Sequence, residues 1–113
     1  MVSFTIPLRP VPKGRPRYGN GRTYTPQKTR DYEEAVGMFA RQYFKQPLEG
    51  NLEVKMVFYV KGRHGDGDNL SKSIWDSLNG IAWIDDRQIV KWSGEIVKDS
   101  NERTEIVIDN APL

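Results

Sequence analysis

The segment Asp66-Gly67-Asp68-Asn69-Leu70-Ser71-Lys72 sets two carboxylates on either side of a glycine and a lysine one helical turn after the second. A second acidic pair, Asp85-Asp86, follows further along the chain. Clustered carboxylates repel one another, so such a grouping is favourable mainly around a hard cation, and oxygen-only ligands suit Mg²⁺ or Mn²⁺. Phosphodiester hydrolysis is the chemistry that most needs this device, with one or two ions, about 3.5–4 Å apart when paired, at the scissile phosphate. Lys72 would add positive charge near that phosphate in the transition state.

The same residues have structural readings. Asp68 could be only a helix cap, Lys72 only an i to i+4 partner of Asp68 or Asp76, and Asp85 and Asp86 only turn residues. A calcium hand is excluded by its own spacing, because counting from Asp66 puts Ser71 where glycine is needed and Ser77 where the bidentate Glu belongs. His64 is the single histidine and stands too isolated to define a zinc site. With no cysteine there are no disulfides or thiolate sites, which suits a reducing cytoplasm.

The elements that must position these groups follow from hydrophobic period. A helix beginning at Asp68 or its neighbour buries Leu70, Ile74, Leu78 and Ile81, and ends at Asn79-Gly80. At about 100° per residue, Asp68, Lys72 and Asp76 share the opposite, polar side. Val2, Phe4, Ile6 and Leu8 alternate as a strand with Pro7 marking an edge, and Leu52 to Val60 alternates without a break. Between them, residues 9–25 read as a long loop, and Thr25 caps a helix whose buried face is Tyr32, Val36, Phe39 and Tyr43, ending before Pro47. Residues 88–98 have strand character with Gly94 as a bulge, and a turn at 99–102 leads to a last strand over 104–108. The expected fold is α/β (α+β): one domain over residues 1–113, a small mixed sheet packed on two helices, in the order β-α-β-α-β-β. If the second helix packs back on the sheet, Asp85-Asp86 approaches the first pair and three carboxylates converge.

Charge is divided along the chain. Residues 1–30 carry Arg9, Lys13, Arg15, Arg17, Arg22, Lys28 and Arg30 and no acid, whereas the remaining ten bases stand against all fifteen acids. A cationic end of this kind attracts a polyanion by counterion release, and Lys13, Arg15, Arg17 and Arg22 are the candidates for gripping DNA phosphates. No apolar run approaches the ~20 residues needed to span a bilayer, and the amino terminus lacks the pattern of a secretory signal. Trp75 and Trp92 could stack on a base or pack at an interface, with core packing the simpler reading.

Taken together, Asp66-x-Asp68-Asn69-Leu70-x-Lys72, then Asp76 and Leu78, then Trp83-Ile84-Asp85-Asp86-x-Gln88-Ile89-Val90 resembles the signature of the RusA family of Holliday junction resolvases. Thr23-Tyr24-Thr25-Pro26 followed by Thr29 and Tyr32 is similar to the amino-terminal half of its phage and prophage members. The resemblance implies a homodimeric crossover junction endodeoxyribonuclease, dependent on Mg²⁺ or Mn²⁺, that makes paired nicks across four-way DNA junctions in recombination and repair. It assigns Asp66, Asp68 and Asp86 as catalytic metal ligands and Lys72 as the functional lysine, with Asp76, Asp85 and Asn69 supporting. The sequence departs from the family pattern at Gly67, where an apolar residue is usual, and in a stretch before Asp85 that is one residue shorter. A nuclease for flaps or forks would use the same metal site, and a prophage DNA-binding accessory protein would use the acids only for solubility and capping.

Overall fold

In the computed structural model, which describes residues 1–112, the sheet is built around Leu52–Val60 (β4). Its alternation puts Leu52, Val54, Met56, Phe58 and Val60 on one buried face, and each such side chain contributes roughly 1.5–3 kcal/mol relative to exposure. β1 (Val2–Ile6) and β6 (Arg103–Asn110) extend the sheet on one side by antiparallel pairing, and β5 (Ile89–Lys98) pairs parallel to β4 on the other. The strand order is β1-β6-β4-β5. Two parallel neighbours need a crossover between them, and α2 (Gly67–Leu78) supplies it. With α1 (Gln27–Ala40) it covers the apolar face, where Val36, Ala40, Leu70, Ile74 and Leu78 join Phe4, Ile6, Ile106 and Ile108 in one core.

The mixed sheet, the two helices and their order are as the hydrophobic period predicts. Several details differ. Pro26, not Thr25, precedes the first turn of α1, and no side chain caps it. That helix stops at Ala40, so Tyr43 leaves the predicted stripe and is about half exposed, stacked at 5.1 Å on Phe4, while Phe44 takes the buried place. Asp66 immediately precedes α2, two residues earlier than a cap at Asp68 requires. The β5 irregularity lies opposite Leu52/Glu53, and Gly94 sits in regular register with Met56. Gly94 is small for a different reason: a Cβ there would meet the Ser71 hydroxyl at 3.2 Å.

The largest difference lies in residues 9–25, where the expected loop contains a hairpin of β2 (Arg17–Gly19) and β3 (Arg22–Tyr24). Asn20 and Gly21 turn it with φ of 52° and 76°, the left-handed pair that a two-residue hairpin turn requires.

Candidate active site

Asp66 ends the loop that leaves β4, and its extended backbone turns directly into α2. An aspartate at this position ordinarily accepts from the first free N–H groups of the helix. Here neither Asp66 nor any other side chain makes that bond, so its carboxylate is left for another partner. Asp68 follows in the first turn and is exposed. The helix N-terminus, where partial positive charge gathers, eases the proximity of the two acids. Lys72, one turn later, is exposed and makes no ion pair among the described residues. Of its two expected partners, Asp68 makes no ion pair with it and Asp76 is engaged by Lys13 instead, at 3.0 Å.

The basic segment is fastened to this same helix. The Lys13 backbone N–H donates to the Asn69 carbonyl at 2.9 Å, and Pro12 fits so closely over Gly65 that a Cβ there would lie 2.6 Å away. The Lys13 ammonium reaches Glu33 of α1 at 3.3 Å as well as Asp76. Burial acts to lower its pKa, but the hydrogen bond it donates to Asp76 and the charges of Asp76 and Glu33 outweigh it and hold the group above its ordinary value. Lys13, expected above on phosphate, is thus tied within the protein. Arg15, Arg17 and Arg22 are exposed, and none of their side chains makes an ion pair or hydrogen bond among the described residues. They continue from the anchor into the β2–β3 hairpin, together with the exposed Tyr18 and Tyr24. His64 is exposed in the loop before Asp66 and bonds to the Gly65 carbonyl at 2.7 Å.

The second acidic pair has two different environments. Asp85 begins a single 3₁₀ turn and accepts from the Arg87 N–H at 2.9 Å, while the Gln88 side chain accepts in return from the Asp85 N–H at 3.0 Å. Those bonds, the backbone one first and the Arg87 side chain next, hold the Asp85 carboxyl below its ordinary pKa. Asp86 instead receives the indole N–H of fully buried Trp83 at 2.8 Å on one oxygen. This fixes the carboxylate on the core and leaves the second oxygen free. The Asp85-x-x-Gln88 spacing is a capping box and was legible in the sequence. Glu33, which sets Lys13, carries no local signal because it acts across the tertiary structure; Trp83 stands only three residues before Asp86, but no spacing rule marks an indole as a carboxylate donor.

The helix does pack on the sheet, yet the two acidic pairs do not meet within one chain. Gly67 lies over Ile96, Ser71 over Gly94 and Trp75 over Trp92, so α2 runs down β5 as β5 runs up. Asp66 and Asp68 therefore lie at its start, while Asp86 lies beyond its end beside the first residue of β5. At about 1.5 Å per residue, the twelve residues of α2 hold those ends roughly 18 Å apart. Among the described residues no three acidic or histidine side chains are grouped closely enough to hold a metal ion. The donor chemistry nevertheless fits a hard divalent ion: Asp66 and Asp68 flank Gly67 at the helix start, neither side chain is engaged in a cap or an ion pair among the described residues, and one Asp86 oxygen has no partner among them.

Among the described residues no helix is long and apolar enough to cross a membrane. A search of curated proteins finds no match to the sequence. Comparison with known protein families matches Endodeoxyribonuclease RusA over residues 7–109, a span that takes in the anchored basic loop, both acidic pairs, β4, β5 and all but the last residue of β6. With that match over nearly the whole chain, the protein belongs to the RusA family of endodeoxyribonucleases, hydrolases that cut within DNA.

Proposed function

We propose that this chain is a Holliday junction resolvase that acts as a homodimer, needs Mg²⁺ or Mn²⁺, and nicks two opposed strands of a four-way junction. The observation that carries this reading is the attachment of the acid-free, cationic amino-terminal segment to the helix that begins with Asp66 and Asp68. Phosphate-binding arginines and metal-binding carboxylates would repel the same substrate or attract it separately. Fastened side by side, they bring DNA to the acids.

Asp66 and Asp68 would hold the ion, with Lys72 on the same side of α2 facing the phosphate. When bound, the ion supplies the charge and the activated water that phosphodiester hydrolysis needs. Lys72 balances negative charge that builds on the phosphate in the transition state. Arg15, Arg17 and Arg22 position the backbone of the junction arms without reading bases. Lys13 keeps their segment on α2, and Asp76 and Glu33 keep Lys13 in place. Asn69 contributes its carbonyl to that anchor, and Asp85 shapes the turn that presents Asp86.

The separation of Asp86 from Asp66 and Asp68 favours the dimer. A four-way junction has approximate two-fold symmetry, and a two-fold pair of chains presents one site to each of two opposed strands. In such a pair the partner's Asp86 can complete a ligand set that one chain leaves open. Cleavage of a synthetic four-way junction should be compared with that of a matched linear duplex, in Mg²⁺, Ca²⁺ and chelator. Symmetric Mg²⁺-dependent nicks confined to the junction are expected. Preferential cutting of flaps or forks would move the substrate assignment, and tight binding without cleavage in any metal would overturn the enzymatic reading.

A further inference from the structure

The β2–β3 hairpin carries side chains that the fold does not use. In an antiparallel ladder, facing residues lie on the same side and successive residues of a strand on opposite sides. Arg17 faces Tyr24 and Gly19 faces Arg22, so Arg17, Arg22 and Tyr24 share one side of the hairpin, and Tyr18 and Thr23 the other. Tyr24 is 47% exposed and Tyr18 77%. Neither joins the core.

A cleft of about 480 Å³ lies between this hairpin and α1, lined by Gly19, Asn20, Arg22, Thr23, Tyr24 and Arg30. No acid lines it. The Arg30 guanidinium donates one N–H to the Gln27 amide oxygen at 2.5 Å, which leaves its other N–H groups for a ligand. The neighbouring acid, Asp31, accepts instead from Gln27 at 2.7 Å. Gly19 makes room for the tyrosine, because a Cβ there would stand 3.2 Å from Cε1 of the Tyr24 ring. An aromatic face beside two guanidinium groups is the chemistry of a nucleotide site, with the ring for a base and a cation for its phosphate.

We infer that this cleft takes one unpaired DNA nucleotide, its base stacked on Tyr24 and its phosphate on Arg30, while Arg22 stays on the backbone of the adjoining arm. The inference deepens the junction reading of the preceding section and rests on it. A base inside a duplex is covered on both faces by its neighbours and offers Tyr24 no surface. Taking a base out of the stack costs least where pairing is already broken, and in a four-way junction that place is the point where strands exchange. The cleft therefore favours branched over linear DNA. It reads no sequence, since every base has a face to stack.

Binding in Ca²⁺ should be measured for labelled oligo-dT, a synthetic four-way junction and a matched duplex. Tyr24→Leu should weaken binding to oligo-dT and to the junction roughly tenfold, within the range of one lost aromatic stack, and leave duplex binding unchanged. Tyr24→Phe keeps the ring and should keep the parent affinities. Arg30→Gln should lower the slope of log affinity against log salt on oligo-dT by about 0.7, a slope that Tyr24→Leu leaves alone. Tyr18→Leu, on the opposite side of the hairpin, should change none of these values. All three positions are exposed, and circular dichroism checks that each variant folds. Parent-like binding by Tyr24→Leu, equal losses on duplex and junction, or a Tyr24→Phe variant as weak as Tyr24→Leu would overturn the cleft. The selective loss in a protein that cuts no junction in Mg²⁺ would leave the cleft standing and remove the resolvase reading. Junction cutting by a parent protein whose Tyr24→Leu variant binds normally would do the reverse.

Discussion

The Lys13 ammonium lies 3.0 Å from Asp76, so a residue of the cationic segment is locked to the helix that starts with the acidic pair. The bond joins parts of the chain far apart in sequence and of opposite charge. Together with the Lys13 N–H bonded to the Asn69 carbonyl, it fastens the segment that carries Arg15 to α2. The pair is partly exposed, so its thermodynamic coupling should be modest, on the order of 0.5–1 kcal/mol. A double-mutant cycle with Lys13→Met and Asp76→Asn in urea unfolding measures it. Coupling indistinguishable from zero would remove the tether.

On the proposed reading, substitution of Asp68 by Asn should abolish cleavage and leave junction binding intact or tighter, since it would remove a metal ligand and a charge that repels DNA. Asp66→Asn should behave in the same way. Gel-shift binding in Ca²⁺ beside a cleavage assay in Mg²⁺ separates the two effects. A folded variant that loses binding would show that the acids serve recognition rather than chemistry.

Trp83 aims Asp86 through its indole N–H. Trp83→Phe keeps an aromatic ring in the core and deletes the donor, so the variant should fold with a lower melting temperature and need more Mg²⁺ for half-maximal cleavage. A Mg²⁺ titration checks this. An unchanged half-maximal concentration in a folded variant would mean that Asp86 is positioned without Trp83, or that it does not bind metal.

Replacing Arg15, Arg17 and Arg22 together by Ala should weaken binding to junction and duplex alike. Each lost phosphate contact lowers the slope of log affinity against log salt by about 0.9, so the slope should fall by up to about 3. Affinity measured across a salt series gives the number. A parent-like slope would place the DNA path away from the hairpin.

Asp85 is held below its ordinary pKa by the Arg87 N–H and side chain. A group depressed on folding contributes stability above its unfolded pKa, about 3.9, and loses it as pH falls through the folded value. Asp85→Asn should therefore lower the melting temperature at neutral pH and narrow its distance from the parent as the solution becomes strongly acid. Melting curves from pH 7 down to about pH 2 test the sign. A gap that widens toward acid would contradict it.

The sequence by itself determined the two helices, the long alternating strand, their order and the family signature, because each of these is written in local period or spacing. Leu52 to Val60 alternates whatever lies beside it, and Leu70, Ile74 and Leu78 mark one face of a helix before any partner is known. The Asn20-Gly21 turn and the Asp85-x-x-Gln88 capping box were equally local, though only the structure drew attention to them. What the tertiary structure decided is where these pieces stand. It ended α1 at Ala40, which released Tyr43 and buried Phe44, and it engaged Lys13 with Glu33 and Asp76. Above all, it set Asp66 and Asp68 at one end of α2 and Asp86 past the other. Period fixes which side of an element a residue faces, but the distance between two elements follows from the crossover that joins β4 to β5. That crossover runs the full length of a helix, and no spacing in the sequence measures it.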